Sequence, residues 1–153
     1  MKKILIALDY NASAQKVAAA GYALAQAMDG ELALIHVITE TAYYALDYSP
    51  IMRYEGGYTA GTIAVADDIK KEAHFFLSAI VNQLGNNRIK IKILEGSNTT
   101  DAILDFVKDW NADLLVMGSH RHKGIERLLV TDLAVHILKH SKIPLLTIPT
   151  DEN

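Results

Sequence analysis

Residues 114–124, Leu114-Leu115-Val116-Met117-Gly118-Ser119-His120-Arg121-His122-Lys123-Gly124, run from a short apolar stretch into a glycine-containing loop that leads on to another helical segment. A run of this kind, bounded by turn residues, reads as a buried strand, and a strand entering such a loop and then a helix presents free backbone N–H groups that attract anions. The loop is therefore the first place to look for a ligand.

The same alternation extends in both directions. Lys3 to Leu8 is a short buried-strand type ending at Asp9. Ala14, Val17, Ala18, Gly21, Leu24, Ala25 and Met28 then recur at helical spacing, with Ser13 or Asn11 as the cap and Asp29-Gly30 as the stop. Leu32 to Ile38 reads as a second buried strand. A second long helix is expected from about Ile63 to Leu84, ended by Gly85. Arg88 to Ile93 alternates cation and isoleucine, the pattern of an edge strand whose lysines discourage extra pairing. A third helix follows, capped by Thr99 or Thr100, with Ile103, Phe106, Val107 and Trp110 inward. Asp113 opens the fourth strand. A further helix spans roughly Thr131 to Lys139, and Pro144 to Ile148 forms a fifth strand bracketed by prolines. Strands that alternate with crossover helices predict an α/β doubly wound fold, a parallel sheet with helices on both faces.

Composition sets the limits. Half of the 153 residues are hydrophobic and 22% are charged, which suits one globular domain over 1–153. A formal charge of −3 and scattered lysines and arginines give no footprint for nucleic acid. No apolar run reaches membrane-spanning length. The absence of cysteine excludes disulfides, thiol catalysis and zinc–thiolate sites; with no secretory signal at its start, the chain is expected to be cytoplasmic.

The opening Lys-Ile-Leu-Ile-Ala-Leu-Asp, the stretch Leu-Ile-His-Val at 34–37 and Ala-Asp-Leu-Leu-Val-Met-Gly-Ser-His at 112–120 resemble the universal stress protein family, and the resemblance covers essentially the whole chain. It implies a five-stranded Rossmann-like sheet of order 3-2-1-4-5, with the winding reversing between the first and fourth strands. In nucleotide-binding members, as the resemblance implies, the first-strand aspartate, here Asp9, contacts the nucleoside. Val37 lies along the adenine, and Gly118, flanked by Met117 and Ser119, begins phosphate recognition. It further implies a regulatory role in stress response and a homodimer formed through the last strand.

The family's phosphate pattern is glycine, two residues, glycine, nine residues, glycine, then Ser or Thr. On this chain those positions are Gly118, Arg121, Thr131 and Asp132. Side chains where glycine allows close backbone approach narrow the cradle. A carboxylate about 5 Å from a phosphate charge costs roughly 3 kcal/mol at an effective dielectric near 20, about two orders of magnitude in affinity. The expectation is a degenerate nucleotide-binding loop in a non-enzymatic regulatory or interaction module that is not a standard ATP binder. The alternative is a switch that binds ATP or another adenine nucleotide, with Arg121 substituting for the lost glycine contacts.

Each candidate has a plainer reading as well. Asp9 can cap the following helix, Val37 can be core, Gly118 can serve a tight turn, and Ser119 can cap one. His136 and His140 are four apart, and His120 and His122 flank Arg121, but neither set supplies a third ligand with a carboxylate, so no metal site is expected. No Gly-x-Ser-x-Gly elbow or spaced carboxylate pair is present, so catalysis is not expected beyond weak nucleotide hydrolysis with Asp9 holding a metal or water. The connection over residues 41–58 carries five tyrosines and suits a contact with its own domain, a protein partner or, second, a ligand lid.

Overall fold

The computed structural model describes residues 2–40, 60–119 and 132–150, with residues 60–65 and 132 as backbone only. The tyrosine-rich connection 41–58 lies outside the described residues, as do His120, Arg121, His122 and Thr131. The elements are β1 (Lys3–Ala7), α1 (Ala14–Ala27), β2 (Glu31–Thr39), α2 (Ala60–Leu84), β3 (Lys90–Gly96), α3 (Thr99–Trp110), β4 (Leu114–Ser119), α4 (Asp132–His140) and β5 (Leu145–Pro149). All four strand pairings are parallel, in the order β3-β2-β1-β4-β5. This is the doubly wound sheet expected, including the reversal between β1 and β4.

The central strands read as continuous apolar runs because both of their faces are covered. On one face Ile4, Ile6, Leu8 and Leu34 pack with Val17 and Ala18 of α1 and Leu77 and Ile80 of α2. On the other, Leu5, Ile35, Leu115 and Met117 pack with Ile103 and Val107 of α3 and Ile137 of α4. Each fully buried aliphatic side chain stabilises by roughly 1.5–3 kcal/mol. Helix α1 buries a stripe of small residues, Ala14, Ala18, Gly21 and Ala25. That stripe lets it lie very close to β1: a Cβ on Gly21 would fall 2.3 Å from Ile6 Cδ1.

Several boundaries differ from the sequence reading. β3 starts at Lys90, not Arg88, because Arg88 and Ile89 are still in the preceding turn, where the N–H groups of both are held by Asn86. Its position at a sheet edge is as expected. The cap of α3 is Asn98, not Thr99 or Thr100: its extended backbone (φ −136°, ψ 125°) precedes the helix and its side chain accepts from the Asp101 N–H at 3.2 Å. For α1 the residue at the cap position is Ser13, whose side chain makes no capping hydrogen bond; Asn11 Oδ1 accepts from the Ser13 N–H at 3.0 Å and from Ser13 Oγ at 2.7 Å in the turn that precedes the helix. α4 is described over Asp132–His140 and ends one residue later than expected, while Thr131 lies outside the described residues. Gly85 ends α2 at φ +69°, a conformation strained for any residue with a Cβ.

Candidate functional site

A crevice of about 390 Å³ opens past the carboxyl ends of β1, β2 and β4. This is the reversal point of the sheet, where two neighbouring strands send their connections to opposite faces and the helix ends part. Its size falls at the lower end of small-molecule sites. The walls are mostly apolar: Val17 from α1, Ile35 and Val37 from β2, Ile103 from α3, Met117 from β4 and Leu133 from α4. Polar groups are few and sit around them, from Asp9, Ser13, Thr39, Thr99 and Thr150. A flat, largely apolar ligand body with polar edges matches that distribution.

Of the candidate residues, Asp9, Val37, Met117 and Gly118 are brought together on this crevice. Asp9 is exposed just beyond β1, and the cap position of α1 is Ser13, four residues further on. Val37 is half-buried; it lines the crevice and also packs against the core cluster on the α3 and α4 side. Gly118 is still within β4, paired with Ile148, and its φ is not positive, so a tight turn is not why it is glycine. Close approach is the reason: a Cβ there would stand 3.0 Å from Thr150 Cγ2 and 3.2 Å from Val17 Cγ2. Ser119 ends β4 beside the crevice, its carbonyl accepting both the backbone N–H and the hydroxyl of Thr150 at 3.0 Å each. Arg121 and Thr131 lie outside the described residues. Asp132 falls within α4, of which the described part is Asp132–His140.

The polar residues of the crevice other than Asp9, namely Ser13, His36, Thr39, Thr99 and Thr150, escaped the sequence reading as site residues. Thr150 and Thr99 follow the ends of β5 and β3, and position alone could have flagged them, since ligands of parallel sheets gather beyond the strand carboxyl ends. His36 had no such signal, standing inside the apolar run of β2. It is buried, and its Nδ1 lies 2.7 Å from the Leu8 carbonyl. A carbonyl only accepts, so the ring proton sits on Nδ1. With the Leu8 N–H donating to the Ile35 carbonyl at 2.9 Å, this bond fixes the chain leaving β1 against β2 and so sets where Asp9 emerges. Tyr10 follows, its ring 4.5 Å from that of His36 and 4.9 Å from that of Phe76. Burial pushes the Tyr10 hydroxyl pKa up, and the nearby Glu72 carboxylate adds to the rise.

Among the described residues no three His, Asp or Glu side chains are grouped to hold a metal. His140 Nδ1 lies 2.8 Å from the His136 carbonyl, a contact that closes the end of α4. His136 and His140 therefore have a helix-end arrangement. Likewise, no described helix is long and apolar enough to cross a membrane.

The sequence model of the universal stress protein family matches residues 1–149. Universal stress protein A homolog 2 of Coxiella burnetii is 30% identical over 129 residues, covering 84% of this chain and 82% of that one. Among solved structures, that of hypothetical protein MJ0577 superimposes with a TM-score of 0.74 at 21% identity, covering 99% of this chain and 98% of the other. An Archaeoglobus fulgidus universal stress protein in complex with dAMP gives 0.63 at 17% identity over 97% and 98% of the two chains. A universal stress protein in complex with cAMP gives 0.58 at 18% over 98% of each.

Proposed function

The chain belongs to the universal stress protein family, and we propose that it is a non-enzymatic regulatory module whose crevice takes a nucleoside or nucleoside monophosphate rather than a triphosphate. The observation that carries this is the convergence of Asp9, Val37, Met117 and Gly118 on one 390 Å³ crevice at the reversal of the sheet. Val37 and Met117 offer apolar contact to a base. Asp9, an exposed carboxylate at the rim, accepts hydrogen bonds from sugar hydroxyls. Relatives of the same fold hold dAMP and cAMP, each with a single phosphate. Beyond that first phosphate, Arg121, Thr131 and Asp132 replace the residues that would cradle a longer chain. In sequence, Asp132 puts a carboxylate where the family pattern has a hydroxyl, and a like charge there works against a longer phosphate chain.

The output is a conformation read by other proteins. The module works in the cytoplasm as a homodimer through β5, whose outer side is unpaired among the described residues. Calorimetric titration tests the ligand. AMP binds the unaltered protein, ATP binds no tighter than AMP, and Asp9→Ala weakens AMP by about tenfold or more through loss of charge-assisted hydrogen bonds. A triple variant, Arg121→Gly, Thr131→Gly and Asp132→Ser, gains affinity for ATP alone. ATP binding tenfold tighter than AMP in the unaltered protein would overturn this reading.

A further inference from the structure

The two edges of the sheet are protected by different means. β5 is five residues long and ends in Pro149, which has no N–H to offer; the Pro149 carbonyl is taken by Lys16 Nζ at 2.8 Å. β3 is seven residues long, contains no proline, and keeps an unbroken register with β2 from Ala33↔Lys90 to Thr39↔Gly96. A seven-residue, unbulged edge exposes a row of backbone donors and acceptors and invites another strand. Among the described residues, charge is what guards it. Ile91 and Ile93 turn to the α2 face, while Lys90, Lys92 and Leu94 lie on the α3 face. Arg88 precedes the row in the turn.

Charge differs from proline as a guard because it discriminates by sign. Cationic side chains repel a strand of their own kind and attract one carrying carboxylates at alternate positions, each matched cross-strand pair being worth a fraction of a kcal/mol and each mismatch costing as much. The carboxylates recorded beside the row are already engaged: Glu31 pairs with Lys90, and Glu95 pairs with Lys70 at 2.7 Å. Lys92 is exposed and has no ion-pair partner among the described residues. The half-buried Ile91 and Ile93 supply apolar contact on the opposite face.

We propose that the β3 edge is a docking site for an extended acidic segment of a partner protein, one that alternates Asp or Glu with apolar residues and adds to the sheet as a sixth strand. Main-chain hydrogen bonds supply affinity, and Lys92, exposed and without an ion-pair partner among the described residues, supplies selection. The site is independent of the crevice and stands at the other side of β2.

The probe is a synthetic peptide of about eight residues alternating Glu and Val, with a Lys and Val counterpart as control; that length matches an ordinary strand. Trp110, the one tryptophan of the chain, lies 5.9 Å from Lys90 Nζ and reports binding by its fluorescence. The acidic peptide binds at low salt and slows amide exchange across Lys90–Gly96. Lys92→Gln weakens it a few-fold and Lys92→Glu about tenfold. The basic peptide fails on the unaltered chain and gains on Lys92→Glu. Equal binding of both peptides would overturn the proposal. So would binding that leaves β3 exchange unchanged, since that means ion pairing without strand addition. A self-association abolished by Lys92→Glu would assign the edge to a second copy and overturn it as well.

Discussion

At the amino ends of the strands the polar groups are engaged with one another; at the carboxyl ends they face a crevice. Below, the Lys3 N–H donates to Asp113 Oδ2 at 2.8 Å, Lys3 Nζ donates to the Trp110 carbonyl at 3.1 Å, and Lys90 pairs with Glu31. The Glu31 and Asp113 N–H groups close onto the Lys2 and Lys3 carbonyls at 2.7 and 2.8 Å. Above, Asp9 is exposed at the rim and Thr39 and Thr99 stand on the wall of a 390 Å³ space. A parallel sheet sends every strand the same way, so the two ends can diverge: at one the polar groups tie the strands to their connections, and at the other they line the crevice. Substitutions below should change stability alone, whereas substitutions above should change binding, with or without stability.

The largest effect is expected from Gly118→Val, which attacks both properties. Its Cβ would stand within 3.0–3.2 Å of Thr150 and Val17, and its branches would enter the crevice. Overpacking of this kind costs about 1–3 kcal/mol. Thermal unfolding should fall by roughly 5 °C, and calorimetry should show AMP binding abolished. If binding survives intact, the crevice is not where the ligand sits. Next comes Asp113→Ala at the opposite end, which removes the acceptor for the Lys3 N–H. It should lower urea-unfolding stability by about 1 kcal/mol and leave AMP affinity unchanged, a result that would sharpen the division between ends. The smallest effect belongs to Glu31. The hydrogen bond from Lys90 holds its carboxyl below the ordinary value of 4.5, against an opposing desolvation that is next in size, with the Lys90 and Lys3 charges assisting. A carboxyl lowered in the folded state contributes stability that is present above its unfolded value and is lost as pH falls through the folded one. Because the pair is surface-exposed, the loss should be well under about 1 kcal/mol. Glu31→Gln should flatten that part of the acid profile, and an unchanged profile would show the pair to be energetically silent.

How much of this the sequence disclosed differs from residue to residue. The strands were legible because a strand covered on both faces must be apolar throughout, as Ile4–Ile6 and Leu114–Met117 are. Strand order was not legible in periodicity and came with the family resemblance. The start of β3 was misplaced because Arg88-Ile89 continues the alternation of side chains while its N–H groups bond to Asn86; pattern records side chains and misses hydrogen-bond partners. Thr99 and Asn98 are both good capping residues, and only the backbone turn between them separates cap from helix. Asp9, Val37, Met117 and Gly118, named through the family resemblance, line one crevice, although Gly118 does not serve a tight turn. His36 stayed hidden because its meaning lies in the Leu8 carbonyl, twenty-eight positions earlier.

The place of β1 in the strand order also governs how the molecule comes into being. β1 is central, yet its two neighbours are made at very different times: β2 begins at Glu31 and β4 only at Leu114. At ordinary synthesis rates of about 5–20 residues per second, roughly 5 to 20 seconds separate β1 from its second neighbour. Throughout that interval one side of Lys3–Ala7 is a bare apolar edge on the ribosome, open to aggregation or to a chaperone. The crevice, whose walls need both β1 and β4, is thus among the last parts of the nascent protein to exist.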